Sequence, residues 1–326
     1  MYDTFIPYNN LYLLRAFGLY NSHILCYFNS LLQSLFSCTS LTEYLLNNEK
    51  KFIENNFMIM YINILKKYII LDTQVNKSSN NQSHVYLTES SNILMFNEFL
   101  ISIKNKNIKF GYNQEDSGEL LVLLLDIIND NYIYNLFYNK YKCDIYCKNC
   151  KHIKNIKDDI SIQFEVYDKI VDSNFLQSKI DANLHNLNKY IRNNYSEFSD
   201  FTCEKCTYKG NCIKINRLLL IPTIITINFN KYSEKNNYIY PTELFFINGK
   251  ENKKYNYKLI STINHSGNTN SGHYISKGFR KKLHNNSLSN VVYKMNDSSY
   301  DEDSLKPDND TYIIFYHYVE TVDYFV

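Results

Sequence analysis

The stretch GLYNSHILCYFNSLLQSLF, residues 18–36, sets a polar turn that begins with glycine directly against one cysteine and a long amphipathic run. Cys26 precedes an apolar series at helical spacing that comprises Leu31, Leu32, Leu35 and Phe36. This spacing predicts a helix that begins at Cys26, where the helix dipole favours a thiolate over a thiol. A buried structural cysteine explains the same pattern, so a catalytic thiol requires a base and an orienting group elsewhere in the chain.

Composition limits what this cysteine can do. The chain has 326 residues, of which 44% are hydrophobic and 16% aromatic, enough to bury a sizeable core in one large or two smaller domains. Its formal net charge of +2 is no signature of polyanion binding, and the short basic runs at residues 104–109 and 280–282 are predicted to be solvated surfaces. Its first residues lack the basic and apolar regions of a signal peptide. The longest apolar run, residues 120–128, is too short to span a bilayer. We therefore expect a monomeric intracellular protein of the cytoplasm or nucleus, without a nucleic-acid or membrane partner.

The sequence pattern changes along the chain. Helical spacing dominates residues 26–71 and 115–129, whereas short alternating runs follow from Ile160 onwards. The predicted strands are SIQFEV, LLLIPTIITINF, YNYKLISTI, HYISKGF, VVYKMN and TYIIFYHYV. The polar tract KSSNNQS, residues 77–83, is predicted to be a loop. A helical half followed by a mostly β half predicts an α+β fold.

Two cysteine pairs lie near the junction of these halves. Cys147 and Cys150 form CKNC, and Cys203 and Cys206 form CEKC. Together they supply the four thiolates that tetrahedral zinc requires, and in a reducing compartment cysteines indicate metal binding or catalysis before disulfides. The sequence therefore predicts a zinc site.

Two further cysteines, Cys143 and Cys212, lie close to these pairs but outside the two-residue spacing. We interpret them as packing residues or as substitute ligands. A zinc ribbon can bind nucleic acid, bind protein or stabilise a protrusion, and the weakly basic balance of the chain favours the structural role.

A base for the thiol is available in residues 264–279, NHSGNTNSGHYISKGF. His273 follows a glycine-rich loop and begins a predicted strand, although a half-buried structural histidine fits the same position and His265 is a competitor. The later segment KMNDSS offers Asn296 and Asp297 as orienting groups, and it is also typical of a turn. None of these segments identifies a catalytic site alone.

In their order along the chain, these segments resemble the motifs of the ubiquitin-specific protease family of cysteine deubiquitinases. GLYNSHILCYFNSLLQSLF resembles the cysteine box GLxNxGNTCYxNSxLQxL, and HSGNTNSGHYIS with VYKMNDSSYDE resembles the histidine box. QEDSGELLVLLLDII is similar to the helix motif QQDAxEFLxxLLDxL, and CEKCTYKGNCIKINRLLLIPTIITINFNKY to the second zinc knuckle and its following strand. DTYIIFYHY is similar to the closing strand AYxLFYxR, so the resemblance runs from Gly18 to Tyr318.

This resemblance implies a papain-like hand made of one catalytic domain, residues 1–326. Residues 18–138 would form a helical thumb, residues 139–215 zinc-binding β fingers and residues 216–326 a β-sheet palm. The implied activity is thiol-dependent hydrolysis of the isopeptide or peptide bond after the C-terminal glycine of ubiquitin. Ubiquitin and ubiquitinated proteins are the implied partners, and structural zinc is the implied cofactor.

The resemblance also implies catalytic roles. Cys26 falls on the nucleophile, His273 on the base and Asn296 on the third position of the triad. Asp297 falls on an adjacent aspartate with a supporting role, and Asn21 falls on the side-chain amide that stabilises the oxyanion. These parts suit acyl transfer, in which a thiolate attacks a carbonyl, an imidazolium protonates the leaving amine and donors hold the negative charge.

Four residues are implied to bind the extended, arginine-containing tail of ubiquitin: Asp116, Glu119, Gly272 and Tyr274. The helix predicted at residues 114–128 has a core-facing stripe of apolar residues, and Asp116 near its start also fits a helix-capping acid. Tail binding and capping are compatible roles for this carboxylate.

The chain departs from the family pattern directly before the cysteine, where His23, Ile24 and Leu25 replace glycine, asparagine and threonine. A histidine at a glycine position is strained if the loop needs a positive φ, and its bulk would narrow the tail channel. Two alternatives therefore stand beside the deubiquitinase: a catalytically weakened ubiquitin-binding module, and an isopeptidase for a ubiquitin-like modifier.

Overall fold

The computed structural model describes residues 5–22, 24–69, 88–106, 108–111, 113–156, 159–167, 193–198, 201–210, 212–230, 240–248, 251–268, 271–284, 287–306 and 308–324. His23 and the tract at residues 77–83 lie outside these ranges, so the predictions made for them stay predictions. Within the described ranges, no helix is long and apolar enough to cross a membrane.

Helices dominate the first part of the described chain and strands dominate the rest, and the fold is α+β as predicted. The helices are α1 (Cys26–Leu35), α2 (Thr39–Asn47), α3 (Asn56–Tyr68), α4 (Ser91–Asn105), α5 (Ser117–Ile128) and α6 (Asn131–Phe137). The early strands are β1 (Gly18–Leu19), β2 (Thr88–Glu89), β3 (Asn139–Cys147), β4 (Ile153–Asn155), β5 (Asp159–Ser161), β6 (Gln163–Tyr167), β7 (Asn193–Phe198) and β8 (Cys212–Leu220). The later strands are β9 (Ile224–Asn230), β10 (Glu243–Asn248), β11 (Lys253–Gly267), β12 (Gly272–His284), β13 (Ser287–Asn296), β14 (Ser299–Glu302) and β15 (Thr311–Asp323).

The larger sheet has eight strands in the order β14–β13–β12–β11–β15–β9–β6, and β10 pairs with β11. Neighbours are antiparallel except β6 and β9, which run parallel. This order places β12, which begins beside His273, next to β13, which ends at Asn296. Two of the predicted catalytic residues therefore lie on adjacent strands.

Strand β15 lies between two hydrophobic cores. Ile313 and Phe315 pack towards the helices, whereas Ile314 and Tyr316 pack into the second core. Side chains on successive residues of a strand point to opposite faces, so a strand covered on both faces needs apolar residues at nearly every position. The run TYIIFYHYV meets this requirement.

A smaller sheet of five strands has the order β4–β3–β8–β7, with β5 paired to β3. The strand predicted at residues 218–229 is in fact two strands, β8 and β9, which belong to different sheets. They are separated at Pro222, which lacks the N–H that a ladder needs. The strand predicted at residues 161–166 is likewise divided between β5 and β6, so β6 joins the larger sheet although it lies within the range predicted as fingers.

Helix α1 is buried on every side, although its sequence is amphipathic. Its polar residues face protein and not solvent: Gln33 Nε2 donates to Phe17 O at 2.8 Å, and Ser34 Oγ lies 2.9 Å from Ser276 Oγ on β12. Buried polar groups require such partners, so the polar face of α1 attaches it to the sheet.

Helix α5 begins at Ser117, three residues later than the start predicted from the sequence. Asp116 has an extended backbone, and its Oδ1 accepts from Gly118 N at 2.7 Å and from Glu119 N at 3.0 Å. The carboxylate is thus the N-cap of the helix, and Gln114 lies in the loop before it.

Candidate active site and metal centre

Cys26 is the first residue of α1, at the helix N-terminus that its sequence predicts, and it is 3% exposed. The Tyr274 backbone and the Gln114 side chain donate hydrogen bonds to its sulfur. Burial raises the pKa of the thiol and the charge of Asp297 raises it further, whereas hydrogen bonds from the Tyr274 backbone, the Gln114 side chain and the Tyr27 backbone lower it. On balance the pKa of the thiol is raised, because burial is the largest of these effects.

Gln114 joins Cys26 to the start of β12. Its Nε2 donates to Cys26 Sγ at 3.1 Å and to Gly272 O at 2.5 Å, and its Oε1 accepts from Gly272 N at 3.1 Å. Gln114 was not among the predicted site residues. Its position at the start of the QED segment, two residues before Asp116, is the sequence feature that could have identified it.

His273 lies between Gly272 and Tyr274, the two residues whose backbones reach Gln114 and the thiol. Its Nε2 is 2.6 Å from Asn296 Oδ1. A carboxamide oxygen only accepts, so Nε2 carries the hydrogen and Nδ1 is the basic nitrogen of the neutral ring. The predicted base and the predicted orienting residue are therefore in direct contact.

His265, the competing histidine, lies on the neighbouring strand β11. Its ring centroid is 4.3 Å from that of Tyr274, and a Cβ added to Gly272 would lie 2.2 Å from His265 Nε2. Position 272 has no room for a side chain because this imidazole fills the space above it. His265 thus packs against the β12 backbone, whereas His273 contacts Asn296.

Asn21 and Asp297 connect the loop before the cysteine to the end of β13. Asn21 Nδ2 donates to Asp297 Oδ2 at 2.8 Å, and Asn21 Oδ1 accepts from Leu25 N at 2.9 Å. The same carboxylate lies 3.9 Å from His273 Nε2. The carboxamide of Asn21 is therefore held on both sides, and these two contacts use only one of its two N–H groups.

The backbone completes this connection. Leu19 N donates to the carbonyl of Asp297 at 2.7 Å, and Asp297 has a left-handed φ of 49°. A Cβ added to Gly18 would lie 2.3 Å from the carbonyl oxygen of Ser298. Glycine is required at position 18 because the two backbones approach each other so closely.

Asn29 on α1 and Asn92 on α4 form a hydrogen-bonded chain that supports Asp297. Neither residue was among the predicted site residues. Asn29 Nδ2 donates to Asp297 Oδ1 at 2.8 Å, and Asn29 Oδ1 accepts from Asn92 Nδ2 at 2.7 Å. Both residues are almost fully buried. An asparagine in the first turn of the helix that begins at Cys26 was the sequence feature that could have indicated this network.

Arg280 lies in the basic run at residues 280–282, which is predicted to be a solvated surface, and for this residue the prediction is wrong. It is fully buried, and its guanidinium donates to Gln33 O at 2.7 Å, to Gln33 Oε1 at 2.8 Å and to Ser37 Oγ at 2.7 Å. Burial lowers its pKa to about 10. The cation meets carbonyl groups at the C-terminal end of α1, where the helix dipole is negative, and so attaches the cysteine helix to β12.

The predicted tail-binding carboxylates lie at the start of α5. Asp116 caps the helix with one oxygen and accepts a short hydrogen bond from Tyr312 Oη with the other, so the structural interpretation of this residue holds. Glu119 is exposed. Partial burial of its carboxyl group raises the pKa of Glu119, and the charges of Asp116 and Glu115 raise it further. Three carboxylates so close together form an acidic surface suited to a cation.

The four predicted metal ligands lie in two turns with the same backbone pattern. Cys147 O accepts from Lys151 N at 3.0 Å, and Cys203 O accepts from Thr207 N at 2.8 Å. Lys151 and Thr207 both have left-handed backbones, with φ of 61° and 56°. Backbone N–H groups of each turn also donate to cysteine sulfur, which favours thiolates.

Side-chain geometry agrees with metal binding. The four sulfur atoms of Cys147, Cys150, Cys203 and Cys206 lie within 4.8 Å of one another. The Cys147–Cys206 and Cys150–Cys203 sulfur distances are 3.8 Å and 3.6 Å. Tetrahedral zinc with Zn–S bonds of about 2.3 Å separates its sulfurs by about 3.8 Å. The cluster therefore fits zinc.

Cys143 and Cys212 are outside this set of four ligands. Cys143 is buried in the second hydrophobic core. Cys212 is opposite Cys147 in the β3–β8 ladder, and its sulfur donates to Gly210 O at 3.6 Å. Both positions suit packing residues.

The chain is similar to known proteins of one family. Residues 17–316 match the family described as ubiquitin carboxyl-terminal hydrolase. Ubiquitin carboxyl-terminal hydrolase 11 of Saccharomyces cerevisiae is 29% identical over 134 residues, which are 36% of this chain and 18% of that protein. The chain thus matches less than a fifth of the length of this relative.

Solved structures show the same fold. A chain of the SAGA Ubp8/Sgf11/Sus1/Sgf73 DUB module bound to ubiquitin aldehyde has a TM-score of 0.68 and 19% identity, over 98% of this chain and 72% of that one. The SAGA DUB module with Ubp8, Sgf11, Sus1 and Sgf73 bound to monoubiquitin gives 0.66 and 18%, with the same coverage. With the family match over most of its length, the chain belongs to the ubiquitin carboxyl-terminal hydrolase family.

Proposed function

We propose that this protein is a thiol-dependent deubiquitinase that hydrolyses the bond after the C-terminal glycine of ubiquitin. The observation that carries the proposal is the 2.6 Å contact of His273 Nε2 with Asn296 Oδ1. His273 lies on β12 between Gly272, whose backbone bonds Gln114, and Tyr274, whose backbone donates to the sulfur of Cys26. Family membership and the fold shared with a ubiquitin-bound module support the same substrate.

In the proposed reaction, Cys26 attacks the carbonyl carbon of the terminal glycine. His273 takes the thiol proton on Nδ1 and returns it to the leaving amine, and Asn296 keeps the ring in the tautomer that leaves Nδ1 basic. Asn21 donates its second N–H to the oxyanion, and Asp297 holds that amide in place. When the amine departs, the acyl group stays on Cys26 as a thioester. Water deprotonated by His273 then hydrolyses this thioester, which releases ubiquitin with a free carboxylate and returns Cys26 to the thiol.

The proposed tail-binding site joins the acidic residues Asp116 and Glu119 to the exposed end of β12. An arginine side chain of the ubiquitin tail would pair with the carboxylates, while Gly272 and Tyr274 would line the channel that holds the extended tail. In this arrangement residues 18–138 act as the thumb, 139–215 as the fingers and 216–326 as the palm.

Zinc is the proposed metal of the four-cysteine cluster. Cys147, Cys150, Cys203 and Cys206 would hold it as thiolates, and the bound metal would supply folding energy to the smaller sheet rather than chemistry. Cys147 ends β3, and Cys203 lies in the segment before β8, so the site joins chain segments that are distant in sequence.

The test is reaction of the purified protein with ubiquitin and ubiquitin-like modifiers that carry C-terminal thiol-reactive groups, beside hydrolysis of a ubiquitin C-terminal amide. We expect ubiquitin to label Cys26 and to be hydrolysed, and the Cys26→Ala variant to bind ubiquitin without either reaction. Binding without hydrolysis by the unaltered protein would indicate the weakened binding module. Labelling by a ubiquitin-like modifier alone would indicate the other isopeptidase.

A further inference from the structure

The carboxamide of Gln114 has all its polar hydrogens and its oxygen in contact with two partners. One N–H points to Cys26 Sγ at 3.1 Å, the other to Gly272 O at 2.5 Å, and Oε1 accepts from Gly272 N at 3.1 Å. A glutamine has two donor hydrogens on one nitrogen and one acceptor oxygen, so this site uses the whole group.

Gly272 determines which way the amide faces. Exchanging the oxygen and nitrogen of Gln114 would set an N–H against the N–H of Gly272 and an oxygen against its carbonyl. Both contacts would be repulsive, so only the observed orientation is stable. It follows that the group next to the sulfur of Cys26 is an N–H and not a lone pair.

The sulfur needs such a donor. Cys26 is buried, and Asp297, which bonds Asn21 and Asn29, brings a negative charge towards it. The segments that neighbour Cys26 also carry the titratable residues Tyr27, Glu115, Asp116, Glu119, His265, His273, Tyr274 and Tyr293. A thiolate in this setting is destabilised by burial and by carboxylate charge, and a charge-assisted hydrogen bond opposes both.

We propose that Gln114 is a catalytic residue: its side-chain amide donates a hydrogen bond to the sulfur of Cys26 and stabilises the thiolate, while the backbone of Gly272 holds the amide in the orientation that donates. This role rests on the proposed function of Cys26 as a nucleophile. The contact itself concerns ionisation of the free thiol, and it can be measured without ubiquitin.

The experiment measures the rate at which iodoacetamide alkylates Cys26 between pH 5 and pH 10, followed on the Cys26 peptide by mass spectrometry. Gln114→Met keeps the length of the side chain and removes the donor. Gln163→Met is the matched control, because Gln163 Nε2 also donates to a glycine carbonyl, that of Gly118 at 2.6 Å, and its oxygen lies near Asn228 instead of the sulfur.

We expect Gln114→Met to move the midpoint of the alkylation profile upward by about one pH unit, which is about tenfold less thiolate at neutral pH. Gln163→Met should leave the profile unchanged. Gln114→Glu should move the midpoint upward at least as far, because a carboxylate cannot donate and adds negative charge. It provides a second test if the methionine variant does not fold.

Coincident profiles for the unaltered protein and both Gln114 variants would overturn the proposal, as would an equal shift in Gln163→Met. An upward shift confined to the Gln114 variants supports the hydrogen bond even in a protein that does not cleave ubiquitin. Loss of the proposed function and loss of this inference are therefore distinguishable.

Discussion

Asn21 donates a 2.8 Å hydrogen bond to Asp297, a residue 276 positions later in the chain. The same carboxylate accepts from Asn29 at 2.8 Å and approaches His273 Nε2 at 3.9 Å. Asp297 therefore connects the loop before Cys26, the helix that carries it and the strand pair that carries the histidine. It also raises the pKa of the thiol, after the larger effect of burial.

Asp297→Ala should separate the structural support that Asp297 gives to the site from its effect on the pKa of the Cys26 thiol. We expect turnover of a ubiquitin C-terminal amide to fall by about tenfold to a thousandfold, because Asn21 loses the partner that orients it as an oxyanion donor. The thiol should nevertheless ionise at a lower pH than in the unaltered protein, because a neighbouring negative charge has been removed. Measurement of kcat and of the pH profile of Cys26 alkylation checks both expectations. An unchanged kcat would show that Asp297 does not support the reaction.

Alanine substitutions of the two histidines near the site, His273 and His265, should have very different effects on kcat. His273→Ala should lower kcat almost as far as Cys26→Ala, since thiol deprotonation and protonation of the leaving amine both use its ring. Asn296→Ala should cost less, about tenfold to a thousandfold, because it removes only the group that orients the ring. His265→Ala is the control, since this ring packs on Tyr274, whereas His273 is the ring in contact with Asn296. The assignment is wrong if His265→Ala is inactive while His273→Ala retains activity.

Metal content should follow the cysteine geometry. We expect about one zinc per chain, lost in Cys147→Ser and retained in Cys143→Ser and Cys212→Ser. Elemental analysis of the purified variants measures this directly. Removal of the metal with a chelator should also lower the unfolding temperature of the unaltered protein. Zinc loss in Cys143→Ser or Cys212→Ser would show that the set of four ligands is misassigned.

Stability should depend on pH through His317. Its ring is buried, Nδ1 donates to Tyr318 O at 2.8 Å, and Nε2 lies 2.9 Å from Ser40 Oγ. Burial lowers its pKa from 6.5 to about 4, so between these values the unfolded chain binds a proton that the folded chain does not. As pH falls through this window, the free energy of unfolding should decrease by about 3 kcal/mol on account of this group.

The comparison uses His317→Asn and, as the control at an exposed position, His284→Asn, with urea unfolding measured from pH 7.5 to pH 4.5. The His317 variant should be less stable at pH 7.5, and its difference from the unaltered protein should narrow as the solution becomes more acidic. The His284 variant should keep the acid dependence of the unaltered protein. A constant difference between His317→Asn and the unaltered protein would exclude His317 as the titrating group.

Arg280 should contribute to stability through hydrogen-bond geometry more than through charge. Arg280→Lys keeps a cation, but one ammonium cannot reach Gln33 O, Gln33 Oε1 and Ser37 Oγ together. We expect the free energy of unfolding to fall by about 2–4 kcal/mol, because buried acceptors are left without donors. Ser37→Ala, which removes one acceptor, should cost about 1 kcal/mol. Urea unfolding at neutral pH measures both, and equal stability of Arg280→Lys and the unaltered protein would contradict this role.

The sequence predicted the features that depend on near neighbours. The helix that begins at Cys26, the strand that begins beside His273 and the two cysteine pairs each follow from the spacing of a few residues. The predicted bounds of a helix and of a strand were wrong where a single residue changed the local hydrogen bonding. The Asp116 side chain delays the start of α5, and the missing N–H of Pro222 separates β8 from β9.

Tertiary structure alone decided how the site is held together. Gln114 bonds Gly272 across 158 positions, and Arg280 bonds Gln33 across 247. No periodicity records such partners, because a hydrogen bond depends on distance and direction in space. From the sequence alone, the same polar residues predict a solvated surface. By sequence, α1 is an amphipathic helix and Arg280 belongs to a surface charge run. In the folded protein both are buried, because other protein groups replace most of the hydrogen bonds that water would otherwise make.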